Sequence, residues 1–362
     1  MTAEHRIRDY HLAELERATQ VRTLLGPGSH VGHALTNDVL DSVKRRIESS
    51  SESDLTYEFW PFIYCFVLSR STDAIVEFDA DAGLVISRTP ASRRNSVTSF
   101  LSTSGPRTGV WYGGLFEVWA KATFLKAGTE VHLDVTLPNG RDHDISALVA
   151  GRRFHFECTV LTEDDESREV WDRFMEYKRV DPEKVLVRPG PFCPPNAKGP
   201  SPYYLPLRLY AKAYDKLSKD LNPEKSQFSD DEPNILLTCF AGPHMSATDP
   251  GANWAIEELL ANNPRMARTV VPESFTDISL DAWADFRAGE LISQRKITVD
   301  WYCENSNAVL SAPRRLGGIL MFDETRLAGA RVNYNARNEC AIRHSEMAEL
   351  ERLLSTPASY FR

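Results

Sequence analysis

The stretch "RDHDISALVAGRRFHFECTVL", residues 141–161, holds two carboxylates at a spacing that can do chemistry. From Phe154 on, strand alternation puts Phe154, Phe156, Cys158 and Val160 on one face and His155, Glu157 and Thr159 on the other. A turn centred on Ala150-Gly151 pairs residues whose numbers add to 301, as Asp144 and Glu157 do. The two acids then face each other with Cβ atoms about 5 Å apart. Like charges placed so repel unless a proton or a cation lies between them. Mg2+ (or Mn2+) suits that position, because it takes oxygen ligands and keeps waters that can attack a phosphate. An ordinary solvated hairpin face carrying two acids at small cost is the competing reading.

The elements around the hairpin bear on that choice. The segment "GGLFEVWAKATFLKAG" reads as a helix opened by Gly113-Gly114 and closed by Gly128. It is apolar nearly all round, so it is expected to be buried, and Glu117 is its one acid. A buried carboxylate needs a partner. Lys121, four residues on, supplies one through a helical ion pair; the alternative turns Glu117 toward the cation of Asp144 and Glu157. "TEVHLDVTLPNG" alternates like a strand, and "NILLTCFAG" and "GGILMF" read as buried strands. "ESREVWDRFMEYKRV", "YYLPLRLYAKAYDKLSKDL", "NWAIEELLANN" and "SEMAELERLL" read as helices, and "RPGPFCPPNAKGPSP" as a proline-enforced loop. Residues 1–105 look mainly helical, with "GPGS" stopping the first helix, Thr36 or Asn37 capping a later one, and "SRTPASRRNSVTSFLSTSGP" read as a loop. Alternating strands and helices after residue 106 predict an α/β sheet with helices on its faces.

Residues 113–161 together resemble the core of the PD-(D/E)xK nuclease superfamily: a helix bearing a glutamate, a meander with an aspartate on its second strand, and E-x-K on its third. The resemblance matches Glu117, Asp144 and Glu157 to those acids and extends over residues 106–240, with Lys212 and Lys216 on the following helix. It implies a restriction-endonuclease-like core, with a mixed central sheet flanked by helices, over residues 106–362. It further implies a metal held by Asp144, Glu157, the Cys158 carbonyl and Glu117. His143 replaces the proline before the aspartate, and Thr159 replaces the lysine of E-x-K. That lysine orients the attacking water and offsets charge on the phosphate, which threonine cannot do. Lys121 and Lys212 are the candidates to take its place. Arg152 and Arg153 would hold a nucleic-acid backbone, with His155 and Thr159 facing the substrate.

Bulk properties bound these readings. The 362 residues are 42% hydrophobic and 26% charged, which suits a globular chain with a real core. Net charge is −9, so nucleic acid must be held by local basic surface. The polar N-terminus lacks a signal-peptide core, the apolar run "FWPFIYCFVL" is too short to span a bilayer, and six scattered cysteines include no C-x-x-C. A cytoplasmic protein is expected. No phosphate-binding glycine loop occurs. The expected activity is metal-dependent cleavage of DNA, with RNA the less favoured substrate. The alternative is a catalytically inactive nuclease-like domain that binds nucleic acid, or a protein partner through its N-terminal helices.

Overall fold

The computed structural model describes residues 3–49, 60–103, 109–137, 139–162, 205–241, 246–248, 250–261 and 280–361. The chain divides into two units, Met1–Leu133 with Thr356–Arg362, and Asp134–Ser355. The sequence texture changes earlier, near residue 106.

Helices build the first unit: α1 (Ala3–Leu25), α2 (His30–Ala34), α3 (Asn37–Ser49), α4 (Phe62–Ser69), α5 (Thr72–Arg88), α6 (Arg94–Thr98) and α7 (Gly109–Lys126). Gly26, at φ 75°, ends α1 in the left-handed conformation that "GPGS" predicts. Thr36 Oγ1 accepts the Val39 amide at the start of α3. From Phe62 on, the apolar run forms α4, with Pro61 at its N-cap, where proline loses no helical hydrogen bond. Phe62, Phe66, Phe78, Phe100 and Tyr360 make an aromatic core, Phe78 meeting Tyr360 edge-on at 5.2 Å between centroids. The loop expected over residues 87–106 is instead, at residues 91–102, a series of short helical turns and α6. Its hydroxyls stabilise those turns locally: Ser96, Ser99 and Thr103 each donate to the carbonyl three residues back.

Helix α7 is buried as its composition predicts, with Leu115, Phe116, Val118, Trp119, Ala120, Ala122 and Phe124 at most 2% exposed. A Cβ at Gly114 would stand 2.3 Å from the Phe100 ring, so this close approach requires glycine.

The second unit is built on a six-stranded mixed sheet ordered β1-β2-β3-β4-β5-β6. The strands are β1 (Val131–Thr136), β2 (Asp142–Val149), β3 (Arg152–Thr162), β4 (Asn234–Ala241), β5 (Leu316–Asp323) and β6 (Arg326–Val332). β2 and β3 are antiparallel, β3-β4-β5 run parallel, and β6 returns antiparallel. β4 is buried at every position, which explains why "NILLTCFA" is a continuous apolar run with no alternation. The helices are α8 (Leu205–Leu217), α9 (Pro250–Ala261), α10 (Leu280–Ser293), α11 (Val299–Ser311) and α12 (His344–Leu353). Helix α8 packs on β3 and on α9. Its Leu209, Tyr210, Ala213, Tyr214 and Leu217 join Leu161, Leu236 and Ile319 in one core. Each large apolar side chain fully buried there contributes about 1.5–3 kcal/mol. The helix and loop expected within residues 163–204 lie outside the described residues.

Candidate metal centre

The hairpin register is the one the spacing requires: Ile145 faces Phe156, Ser146 faces His155, and Val149 faces Arg152. Ala150 (φ 49°) and Gly151 (φ 79°) form its turn, both with the positive φ of a two-residue hairpin loop. One rung beyond Ile145–Phe156, Asp144 meets Glu157, and side chains close the rung. The Asp144 amide donates to Glu157 Oε1 (3.2 Å), and the Cys158 amide donates to Asp144 Oδ2 (2.7 Å). Each acid is thereby oriented by the backbone of the other strand.

Glu157 is fully buried, while Asp144 is half-buried. From α8, Lys216 Nζ donates to Glu157 Oε2 at 2.8 Å. Burial and then the neighbouring Asp144 charge push the Glu157 carboxyl well above its usual range, against the pull of Lys216. Burial alone would lower Lys216; the Glu157 and Asp144 charges outweigh it and hold the ammonium above its ordinary value.

Asp134 of β1 brings a third carboxylate, with an oxygen within 4.8 Å of one on Asp144. Its backbone is left-handed at φ 51° inside a strand. That conformation is uncommon for a residue other than glycine, and aspartate tolerates it better than most.

On the other side of Glu157, His143 Nδ1 lies 3.9 Å from Oε1, and the His143 ring stacks on His155 at 4.0 Å. Burial, then the second imidazole, brings His143 down to about 3, so it is a neutral ring beside the carboxylate. His155 is lowered by burial, against the pull of its bonded partner Glu232.

The remaining expected residues take varied places. Glu117 and Lys121 belong to the first unit, where Lys121 Nζ meets Glu117 Oε1 at 2.6 Å in the ordinary helical pair. Lys121 is 2% exposed and Glu117 42%. Lys212 is exposed on α8, one turn before Lys216. Thr159 is buried beside Thr238 of β4. Arg152 is committed to the carbonyls of Ala341 (2.8 Å) and Glu339 (2.7 Å), and Arg153 reaches Ser146 Oγ at 3.4 Å. Neither Lys216 as the partner of Glu157 nor Asp134 stands out in the sequence. The signal for Lys216 was its place on the same helical stripe as Lys212, four residues away.

Asp134 and Asp144 offer hard oxygen donors of the kind a small divalent cation takes, while both Glu157 oxygens accept hydrogen bonds within the protein. No known family model, curated protein or solved structure matches the chain. Among the described residues no helix is long and apolar enough to cross a membrane.

Proposed function

We propose that the second unit carries a metal-dependent phosphodiesterase site of the PD-(D/E)xK type, acting on DNA in preference to RNA. The observation that carries the reading is the Lys216 ammonium 2.8 Å from Glu157, which supplies from a helix the cation that Thr159 lacks. Asp144, Asp134, Glu157 and the Cys158 carbonyl are the groups that would hold Mg2+ or Mn2+. When bound, the ion would lower the pKa of a coordinated water and polarise a phosphoryl oxygen. The chain's own contribution is positional. Reciprocal amide bonds aim Asp144 and Glu157, and Lys216 fixes Glu157 while offering positive charge where a phosphate's negative charge would grow. His143, a neutral ring 3.9 Å from Glu157, adds no positive charge on that side.

One observation favours the second reading, a nuclease-like domain without hydrolysis that binds nucleic acid or a protein partner. Both Glu157 oxygens already accept hydrogen bonds within the protein. Plasmid DNA incubated with the purified chain and Mg2+ or Mn2+, against a chelator control, separates the two. Cleavage with metal alone, lost in Glu157→Ala and reduced on the order of a hundredfold in Lys216→Met, is the expected result. Asp134→Asn is expected to weaken Mn2+ binding measured by calorimetry. Absence of metal-promoted cleavage on DNA and RNA alike hands the site to the second reading.

A further inference from the structure

The chain carries net charge −9, yet residues 312–345, "APRRLGGILMFDETRLAGARVNYNARNECAIRHS", hold six arginines against three acids. Several of these residues are exposed and lie in or against the turn after β6. Arg314 Nε donates to the Asn335 carbonyl at 3.2 Å, and the Arg337 amide donates to the Arg314 carbonyl at 2.8 Å. The Tyr334 hydroxyl lies 3.2 Å from His344 Nε2, their rings 5.9 Å apart, and Arg343 is the next residue to His344. Tyr334 is 79% exposed, more than any other large hydrophobic residue among those described.

Two of the acids near this surface are met by partners, and one of them, Glu346, is buried and accepts the Arg343 amide at 2.7 Å. Asp230 is met by both Arg315 (2.7 Å) and Arg337 (2.6 Å), so it is doubly compensated. Glu339 is exposed, and its carboxylate subtracts from the positive charge around it. Arg314 and Arg343 are exposed, and the balance of the patch is positive on an otherwise acidic molecule.

We propose that Arg314, Tyr334, Arg337, Arg343 and His344 bind an unpaired stretch of nucleic acid, with Tyr334 stacking on a base and the arginines holding phosphates. The inference rests on the nuclease reading and names its substrate class. A ring standing this far into solvent offers a full face for stacking, and a base offers one only where it is unpaired. Placement agrees with a flank of the scissile site. The Arg152 guanidinium ties residues 339 and 341 to the start of β3. Glu157 lies five residues further along that strand, roughly 17 Å at strand rise.

Fluorescence anisotropy in chelator, with a labelled single-stranded DNA oligonucleotide and the duplex of the same sequence, reads binding without cleavage. Single strand is expected to bind tighter than duplex. Tyr334→Ala should weaken the single strand about tenfold and leave the duplex unchanged, while Tyr334→Phe retains affinity. Arg314→Gln with Arg343→Gln should reduce the slope of log affinity against log salt by about 1.4, near 0.7 per phosphate contact. That arm stands independently should Tyr334→Ala fail to fold. Equal binding by Tyr334→Ala and the parent chain, an unchanged salt slope, or no binding of nucleic acid overturns the proposal. A chain that binds through Tyr334 and never cleaves sinks the nuclease reading alone. One that cleaves through Glu157 with Tyr334→Ala binding normally sinks this inference alone.

Discussion

Glu157 has no exposed surface, and its Oε2 is served by an ammonium that is 22% exposed. Removing one member of such a pair leaves a buried charge without compensation, which costs about 3 kcal/mol or more. Lys216→Met keeps the stem and removes the charge, so metal-free protein should lose stability on that scale. The loss should depend on pH in a definite sense. Burial and Asp144 raise the folded-state carboxyl of Glu157, and Lys216 is the group opposing them. Without Lys216 the folded state holds a proton over a pH range where the unfolded glutamate, near pKa 4.3, has released it. Stability then falls as pH rises above the ordinary glutamate range, because the folded state binds more protons there. Thermal melts of Lys216→Met in chelator should show a larger deficit at about pH 8 than at about pH 5. A deficit equal at both values would mean that Glu157 does not feel Lys216 as a charge. Glu157→Gln combined with Lys216→Met should recover part of the loss.

The β2–β3 hairpin sets the geometry of the centre, and its turn is imperfect. Ala150 adopts φ 49° at a position where two-residue hairpin loops favour asparagine. Ala150→Asn is expected to raise stability by about 0.5 kcal/mol or more without changing the register, since asparagine tolerates the left-handed region. A lower melting temperature for that variant would mean the turn is held by contacts and not by its own conformation. This element was legible in the sequence because alternation and turn position together fix a two-residue period, and a shift by one residue would have turned Glu157 to the opposite face. β4 and β5 were legible as apolar runs. β6 was not, since "RLAGARV" is an edge strand whose residues are half-buried or exposed and leave no clear pattern. Residues 91–102 misled for a local reason, as serine, threonine and proline signal turns and here the turns are helical. Choosing Lys216 over Lys212 needs the axial position of α8 on the sheet, which neighbouring helical turns of equal chemistry do not encode. Asp134 depends on a left-handed residue inside a strand, and alternation alone assumes there is none.

At the scale of the whole chain, both termini belong to the helical unit. Residues 356–362 return to it after the α/β unit is complete. The return is fixed by polar bonds as well as packing. Arg70 binds the carbonyls of Tyr360 (2.6 Å) and Phe361 (3.2 Å), the Trp119 indole N–H donates to the Thr356 carbonyl (3.1 Å), and Ser359 bonds Glu77. Tyr360 is fully buried against Phe78, and its hydroxyl donates to buried Asp81 at 3.3 Å, beside the Asp81–Lys126 pair. Two variants divide these contributions. Tyr360→Phe keeps the ring and removes a long hydrogen bond to an acid that Lys126 already serves, so a loss of about 1 kcal/mol is expected. Tyr360→Ala empties an aromatic site in a close-packed core and should cost about 3–5 kcal/mol. Denaturant melts monitored by circular dichroism would measure both. If Tyr360→Ala costs no more than Tyr360→Phe, the last residues are a surface appendage. If the costs separate as expected, a chain cut after Ser355 will lose a buried part of its helical core, and any shortened form used to isolate the candidate site must retain residues 356–362.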